Sequence, residues 1–211
     1  MEGTCLIISG GAFSGIPEAY RDCTYVIACD RGWQYAEKLG IKPDLIIGDF
    51  DSAPEPETDV PVEKVPAEKD DTDTMLAARK ALELGFKNVV IACAFGGRLD
   101  HALANIQTGM FLSSQGADTV LLGKDTDALI FKDGIKSIPK KEGWSLSVFS
   151  LTDTSSGVTI RGTKYECTDE ILTNTFPIGV SNVWEAENAL ISVSSGSLMV
   201  LCSRLKKGEH I

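Results

Sequence analysis

The stretch Leu45-Ile46-Ile47-Gly48-Asp49-Phe50-Asp51-Ser52 joins an apolar run to two carboxylates that stand two residues apart. A short apolar run that ends at a glycine is typical of a buried strand. Side chains two residues apart in an extended chain point to the same side, so Asp49 and Asp51 can present their oxygens to one hard cation. A solvated acidic turn explains the same pattern equally well. The stretch predicts the end of a strand. Other segments of the chain are needed to distinguish a metal site from a surface turn.

The composition is that of an ordinary globular protein. The chain has 211 residues, of which 43% are hydrophobic and 24% charged, enough for one large domain or two small ones. Its longest apolar stretch, residues 89–95, is far too short to cross a bilayer, and the N-terminus lacks a basic region followed by an apolar segment. We therefore expect a soluble, cytoplasmic protein with no membrane partner and no export signal.

The six cysteines form no C-x-x-C pair, and the chain has only two histidines. Four of the cysteines stand inside or beside apolar runs. This placement favours buried reduced thiols over zinc ligands or disulfides.

The net charge of −10 argues against a nucleic-acid partner. Residues 1–123 carry 19 acidic and 10 basic residues, whereas residues 124–211 carry 11 and 10. The negative charge therefore belongs to the first half. Either a solvated charged face or a cluster of carboxylates for divalent cations would explain it.

The first half alternates short apolar runs with helical patterns. Predicted strands, several of them rich in Val and Ile, cover residues 4–9, 25–30, 45–48, 60–65, 88–94 and 119–123. Predicted helices, each followed by a glycine, cover residues 33–39, 73–84 and 100–114. The alternation predicts a three-layer α/β domain in which helices cover a mostly parallel sheet.

The pattern changes from about residue 124. Short β-prone segments cover residues 128–131, 144–149, 157–161, 180–184, 189–195 and 198–201, and only residues 185–189 carry a weak helical pattern. We predict an all-β C-terminal domain, a small sandwich, with the boundary between residues 123 and 141. The two domains are expected to cover residues 1–125 and 135–211.

Polar residues follow five of the predicted strands. Because ligands gather at the carboxyl ends of parallel strands, these segments should converge on one crevice. The segments are Gly10-Gly11-Ala12-Phe13-Ser14-Gly15, Asp30-Arg31-Gly32, Asp49-Phe50-Asp51, Lys69-Asp70-Asp71-Thr72-Asp73 and Gly96-Gly97-Arg98-Leu99-Asp100-His101. Aspartates suit Mg²⁺, cations neutralise phosphates, and glycine-rich turns offer backbone N–H groups to phosphate oxygens. The set predicts a metal–nucleotide site, although neither a G-x-x-x-x-G-K-[ST] nor a G-x-G-x-x-G motif is present.

Each segment also has an ordinary structural interpretation. Thr72 or Asp71 could cap the following helix, with Asp73 in its first turn. Arg98 and Asp100 could pair with each other at a surface turn. The shared position of the segments at strand ends favours a site.

Taken together, the segments resemble the motifs of the thiamine pyrophosphokinase family. The elements occur in the family's order and span most of the chain. They are Asp30-Arg31-Gly32, Gly48-Asp49-Phe50-Asp51-Ser52, Lys69-Asp70-Asp71-Thr72-Asp73, Gly96-Gly97-Arg98-Leu99-Asp100-His101 with Asn105-Ile106-Gln107, and Ser181-Asn182.

The resemblance implies an α/β catalytic domain followed by a β-sandwich that helps bind thiamine. It also implies a homodimer with substrate at the subunit interface. The implied reaction transfers the diphosphoryl group of ATP to the hydroxyl of thiamine, with Mg²⁺ as cofactor and AMP as the second product.

The resemblance also implies roles for the acidic and basic residues of the first half. Asp49, Asp51 and Asp73 are the expected Mg²⁺ ligands. The residues expected to contact ATP or to orient the reacting groups are Asp30, Lys69, Arg98 and Asp100. The expected catalytic residues are Asp71, Arg98 and Asp100, and either aspartate could take the hydroxyl proton.

In the second half, Ser181 and Asn182 match the family's motif near thiamine. Two neighbouring positions depart from the family, since Val183 stands where a polar residue is frequent and Cys167 where an aliphatic residue is expected. Trp184 could stack on the pyrimidine of thiamine, or it could be a core residue of the β domain. The sequence leaves both interpretations of Trp184 open.

Overall fold

The computed structural model describes residues 2–50, 54, 56–66, 68, 70–206 and 208. The chain forms two compact units, Met1–Lys124 and Asp125–Ile211. Asp51 and Lys69, both expected at the site, lie outside the described residues.

The first unit alternates strands and helices along the chain. Its strands are β1 (Thr4–Ile8), β2 (Tyr25–Cys29), β3 (Leu45–Gly48), β4 (Val62–Lys64), β5 (Asn88–Ala92) and β6 (Asp118–Leu122). Its helices are α1 (Gly32–Leu39), α2 (Asp73–Glu83) and α3 (Leu99–Ser114), with a 3₁₀ turn at Glu18–Tyr20. The observed bounds differ from the predicted ones by up to two residues, which is the usual uncertainty at element ends.

The strands of the first unit lie in the order β6-β5-β1-β2-β3-β4, and every neighbouring pair is parallel. The predicted parallel sheet is therefore present. From β1 the chain builds the sheet in one direction through β4 and then returns to the other side of β1 with β5. A reversal of strand order of this kind is where ligands bind in open α/β sheets, here at the carboxyl ends of β1 and β5.

Strands β1, β2, β3 and β5 are buried over most of their length, whereas the edge strand β4 is exposed. Leu6 and Ile8 of β1 belong to one apolar cluster with Tyr35 and Ala36 of α1. The Cys29 thiol at the end of β2 donates a hydrogen bond to the Asp73 carbonyl at the start of α2 (3.6 Å). Both helices are therefore attached to the sheet close to the carboxyl ends of its strands.

The second unit is built of antiparallel strands. They are β7 (Thr126–Pro139), β8 (Trp144–Ser150), β9 (Thr154–Arg161), β10 (Cys167–Thr173), β11 (Gly179–Asn182) and β12 (Asn188–Arg204). The long strand β12 pairs with β7 on one side, and with β9 and then β8 on the other. It joins the segments 189–195 and 198–201 that the sequence predicted separately.

Residues 185–189 are not helical, so that prediction is wrong. The backbone N–H groups of Glu185 and Ala186 both donate to the Gly162 carbonyl, and β12 begins at Asn188. The sequence analysis also missed β10, which exposes most of its residues and so lacks a continuous apolar run.

Cysteines of both units are buried. Burial raises the pKa of Cys5 to about 12 and that of Cys202 to about 11, so both thiols stay protonated at neutral pH. No helix among the described residues is long and apolar enough to cross a membrane.

Trp184 belongs to the core of the second unit. Its side chain is packed among buried apolar residues, and the residue is only 6% exposed. The indole Nε1–H donates to the Ile138 carbonyl (3.0 Å). Of the two interpretations that the sequence left open, core packing is the one that this environment supports.

The variant Trp184→Phe should destabilise the protein by about 1–3 kcal/mol, because the buried Ile138 carbonyl would lose its donor. Chemical denaturation measures the difference. Trp33→Phe is a matched control, since the Trp33 indole donates to the Pro54 carbonyl at the surface (3.1 Å) and its loss should matter less. Equal stability of Trp184→Phe and the wild type would contradict the core assignment.

Candidate active site

A cavity of about 710 Å³ opens at the carboxyl edge of the parallel sheet. Residues from five predicted segments line it, and they come from the ends of β1, β2 and β3 and from the starts of α2 and α3. The lining includes Gly10, Gly11, Asp30, Arg31, Asp49, Asp71, Thr72, Asp73, Gly96, Gly97, Arg98 and His101. The prediction that the segments converge is met by the described residues of each.

The loops after β1 and β5 approach each other too closely for ordinary side chains. A Cβ atom on Gly11 would lie 2.2 Å from the Cys93 carbonyl oxygen. A Cβ atom on Gly96 would lie 2.7 Å from the Ala12 Cβ, and the φ of Gly96 is +89°. Glycine is therefore required at both positions, and the two loops form one tightly packed rim of the cavity.

Strained backbone conformations occur after three strands of the sheet, β2, β3 and β5. Asp30, Phe50 and Cys93 have φ values of 44°, 57° and 56°. A non-glycine residue in this region costs on the order of 1–3 kcal/mol, and such strain tends to collect at functional sites. Asp30 and Cys93 directly follow β2 and β5, and Phe50 follows β3 by two residues.

Four carboxylates of the described residues line the cavity: Asp30, Asp49, Asp71 and Asp73. The Oδ1 atoms of Asp30 and Asp73 are buried. Among the residues that the structure describes, no three His, Cys, Asp or Glu side chains come close enough to hold a metal ion. Because Asp51 lies outside that part of the chain, the expected set of Asp49, Asp51 and Asp73 stays a prediction.

Helix α2 begins at the cavity with the cap that the sequence suggested. The Thr72 side chain accepts a hydrogen bond from the Met75 backbone N–H (3.2 Å), and Asp73 occupies the first turn. The Thr74 and Ser9 hydroxyls lie 3.0 Å apart in a buried hydrogen bond. This contact, which the sequence analysis missed, connects the start of α2 to the end of β1.

Asp71 is held by an arginine that the sequence analysis did not identify. Arg79 donates to both carboxylate oxygens of Asp71, with Nε at 2.9 Å and Nη2 at 3.4 Å. The Arg79 guanidinium lies 4.9 Å from the centre of the Phe111 ring of α3. Asp71 precedes α2, which begins at Asp73, so no helical spacing in the sequence indicated this pair.

Arg98 and Asp100 form the surface pair that the sequence allowed. Arg98 Nη2 donates to Asp100 Oδ2 at 2.6 Å, and the two side chains are 73% and 60% exposed. The hydrogen bond from Arg98 lowers the pKa of Asp100 below its usual value. Arg98 also lines the cavity, so Asp100 is attached to the rim through its partner.

Replacing Arg98 with Met should raise the Asp100 pKa toward its ordinary value, because the donor that contributes most to stabilising the carboxylate is lost. Carboxyl NMR titration measures the shift, and Asp100→Asn identifies the resonance. Arg21→Met is the control, because this substitution removes one cation elsewhere in the same unit. The Arg21 side chain donates to the Ile16 carbonyl. An unchanged Asp100 pKa in Arg98→Met would show that the two side chains are not paired in solution.

The second unit contains Ser181 and Asn182 at the end of β11. Asn182 is buried, and its amide makes four hydrogen bonds within the chain. Nδ2 donates to Thr163 Oγ1 and to the Tyr165 carbonyl, while Oδ1 accepts from the N–H groups of Tyr165 and Val183. The Asn182 amide therefore shapes the 163–165 segment. Ser181 is exposed with a φ of 61°, and its backbone N–H donates to Ser147 Oγ.

The first unit thus defines a parallel α/β protein with a glycine-rimmed, acidic cavity at its topological switch point. Two protein families match the chain in sequence: "Thiamin pyrophosphokinase, catalytic domain" over residues 16–121 and "Thiamin pyrophosphokinase, vitamin B1 binding domain" over residues 135–200. The chain belongs to the thiamin pyrophosphokinase family, as the motifs predicted, and it is therefore an enzyme of the transferase class.

Individual relatives agree with this assignment. The thiamine pyrophosphokinase of Bacillus subtilis is 31% identical over 214 residues, which cover 95% of this chain and 98% of the relative. A crystal structure of thiamine pyrophosphokinase from Bacillus subtilis superimposes with a TM-score of 0.85 at 27% identity, covering 96% of this chain and 99% of that one. The structure of a thiamin pyrophosphokinase family protein from Enterococcus faecalis gives a TM-score of 0.79 at 28% identity, covering 96% and 99% of the two chains.

Proposed function

We propose that the protein transfers the diphosphoryl group of ATP to the hydroxyl of thiamine, giving thiamine diphosphate and AMP. The observation that carries this proposal is the acidic, glycine-rimmed cavity, whose lining from Cys29 onward lies in the part of the chain that matches the family's catalytic domain. In this reaction the thiamine oxygen bonds to the β-phosphorus of ATP. The bond from that phosphorus to the bridging oxygen of AMP breaks, and AMP leaves with the electron pair.

The two domains are proposed to have different roles. Residues 1–125 would form a three-layer α/β catalytic domain, and residues 135–211 a β-sandwich that contributes to thiamine binding. Val26 of β2 packs in an apolar cluster with residues of α1. Cys29, three residues further along β2, makes a hydrogen bond to the start of α2. Side chains at such positions face opposite sides of a strand, which supports helices on both faces of the sheet.

The nucleotide is proposed to bind in the cavity with its phosphates at the glycine-rich loops. Backbone N–H groups of these loops suit phosphate oxygens, and Arg98 on the rim provides a cation. Lys69 is expected to add a second positive charge at the phosphates. Asp30 lines the same cavity. Asp71 and Asp100 are the candidates to take the hydroxyl proton. Asp71 itself lines the cavity, whereas Asp100 is attached to the rim through Arg98, and this placement favours Asp71.

Asp49, Asp51 and Asp73 are proposed to hold Mg²⁺. The donor chemistry fits, because the cavity offers carboxylate oxygens, which hard divalent cations prefer, and Asp49 and Asp73 both line it. Bound Mg²⁺ would neutralise charge on the phosphates during transfer. The protein's own contribution is to hold acceptor and phosphate in line and to exclude water.

On the thiamine side, Ser181 is the exposed candidate contact, and Asn182 is proposed to act by holding the 163–165 segment. The protein is proposed to be a cytoplasmic homodimer with thiamine at the subunit interface. Ile171, Phe176 and Ile178 of the second unit are exposed, and an apolar surface of this kind supports a protein interface.

A single assay tests the reaction. Purified protein with Mg²⁺, ATP and thiamine should produce AMP and thiamine diphosphate in equal amounts, and no AMP should form without thiamine. Formation of ADP would indicate single phosphoryl transfer and would contradict the proposal. Formation of AMP only with a hydroxymethylpterin would assign a different acceptor, and binding without any product would make the protein a non-catalytic binder.

The variant Asp49→Asn should lower turnover by about 100-fold or more, because it removes a charged metal ligand while keeping the shape of the side chain. Calorimetry should also show weaker Mg²⁺ binding in the presence of nucleotide, with cooperative unfolding retained. Asp22→Asn makes the same change at an exposed position before β2 and serves as the control. Near-normal activity and Mg²⁺ binding in Asp49→Asn would remove Asp49 from the metal site.

A further inference from the structure

We propose that Tyr35 is a positioning residue that fixes the loop of residues 10–15 in the shape that receives the nucleotide phosphates. This inference rests on the proposed function, since it assigns a role within the same cavity. Tyr35 lies on α1, is 7% exposed, and lines the cavity together with Gly10, Gly11 and Ala12.

The central contact is a hydrogen bond from the Tyr35 hydroxyl to the Gly11 carbonyl oxygen (2.9 Å). The peptide unit from Gly11 to Ala12 is planar and trans, so its N–H points away from its C=O. Holding the Gly11 carbonyl toward Tyr35 therefore fixes the direction of the Ala12 N–H. It also occupies a carbonyl oxygen that would otherwise repel an anionic phosphate.

A second attachment joins the same loop to the same helix. The Phe13 and Tyr35 rings lie 5.2 Å apart at an interplanar angle of 56°. The Lys38 ammonium lies 5.8 Å from the Phe13 ring centre and 5.7 Å from that of Tyr35. Tyr35 thus holds the loop through its hydroxyl at Gly11 and through its ring at Phe13.

The opposite side of the loop is closed by the turn that follows β5. Gly11 packs against the Cys93 carbonyl and Ala12 against Gly96 at distances that allow no added methyl group. The loop is therefore fixed between α1 and that turn before any ligand binds. A loop that is already ordered gives up less conformational entropy when it binds phosphate, which raises affinity for the nucleotide.

A purely structural tyrosine would behave differently from a positioning one. Loss of a structural hydroxyl lowers stability and leaves nucleotide binding unchanged in the molecules that remain folded. Loss of a positioning hydroxyl loosens residues 10–15 and weakens nucleotide binding, while turnover at saturating ATP changes less. Phenylalanine at position 35 keeps the ring and its packing, so the substitution isolates the hydroxyl.

The test compares the Tyr35→Phe variant of the 211-residue chain with the wild type. Calorimetry with Mg²⁺ and a non-reacting ATP analogue should give a Kd about 5- to 10-fold higher than in the wild type, the equivalent of one lost hydrogen bond. The KM for ATP should rise by a similar factor, with kcat within about two- to three-fold and the KM for thiamine unchanged. Hydrogen exchange should show faster amide exchange in residues 10–15.

Two further variants complete the design. Tyr25→Phe is the matched control, because Tyr25 begins β2 at the opposite end of the sheet and its ring lies 6.1 Å from Phe86. It should leave analogue binding and exchange of the loop unchanged. Lys38→Met should weaken analogue binding in the same direction as Tyr35→Phe, because it loosens the second attachment.

The outcomes separate the inference from the function on which it rests. If the wild type binds the analogue and Tyr35→Phe binds it equally well, the positioning role is overturned and the proposed function stands. The positioning role is also overturned if Tyr35→Phe lowers the stability of the protein but leaves analogue binding unchanged. That result would match the one allowed for the Tyr25→Phe control. If the wild type binds no adenine nucleotide, the proposed function fails and the inference fails with it.

Discussion

The reversal of strand order at β1 is the constraint on which the rest of the structure depends. Parallel strands bring all their carboxyl ends to one edge, and the chain leaves β1 toward β2 on one side and returns as β5 on the other. The loops after β1 and β5 must therefore meet above the sheet. They do so through Gly11 and Gly96, and the cavity lies beside that contact.

The cavity concentrates negative charge that the fold has to tolerate. Four aspartates line it, and like charges at short range oppose folding unless a cation or a hydrogen bond offsets them. Arg79 offsets Asp71, and Arg31 and Arg98 stand at the same walls. Strained backbone at the strand ends adds a second local cost. Charge repulsion and backbone strain in one place are typical of a functional site, and the divalent cation and phosphates of the proposed reaction would complement its aspartates and arginines.

The sequence predicted the parallel sheet well because buried parallel strands are continuous apolar runs, as in β3, where all four residues are buried. It predicted the second unit less well. Strand β10 exposes most of its residues, and β12 passes through Ser194-Ser195-Gly196 without ending, although those residues resemble a turn. The motif segments account for most of the described lining of the cavity. The contacts of Arg79 with Asp71 and of Tyr35 with Gly11 were missed because they depend on how helices are oriented in three dimensions, which residue types and spacing alone do not give.

The site combines contacts of two physical kinds. The hydrogen bond from Tyr35 to Gly11 is partly buried and joins a helix to a loop, so breaking it would leave a carbonyl oxygen without its donor where water has limited access. The pair of Arg98 and Asp100 is exposed on both sides, and water can replace either partner at little cost. In the proposed function, an incoming phosphate would compete for Arg98 without disturbing the fold, while the loop proposed to receive it would keep its shape. Exposed charges at the rim would attract a ligand with several negative charges and let it bind quickly. The fixed backbone beside them would then hold that ligand in one geometry.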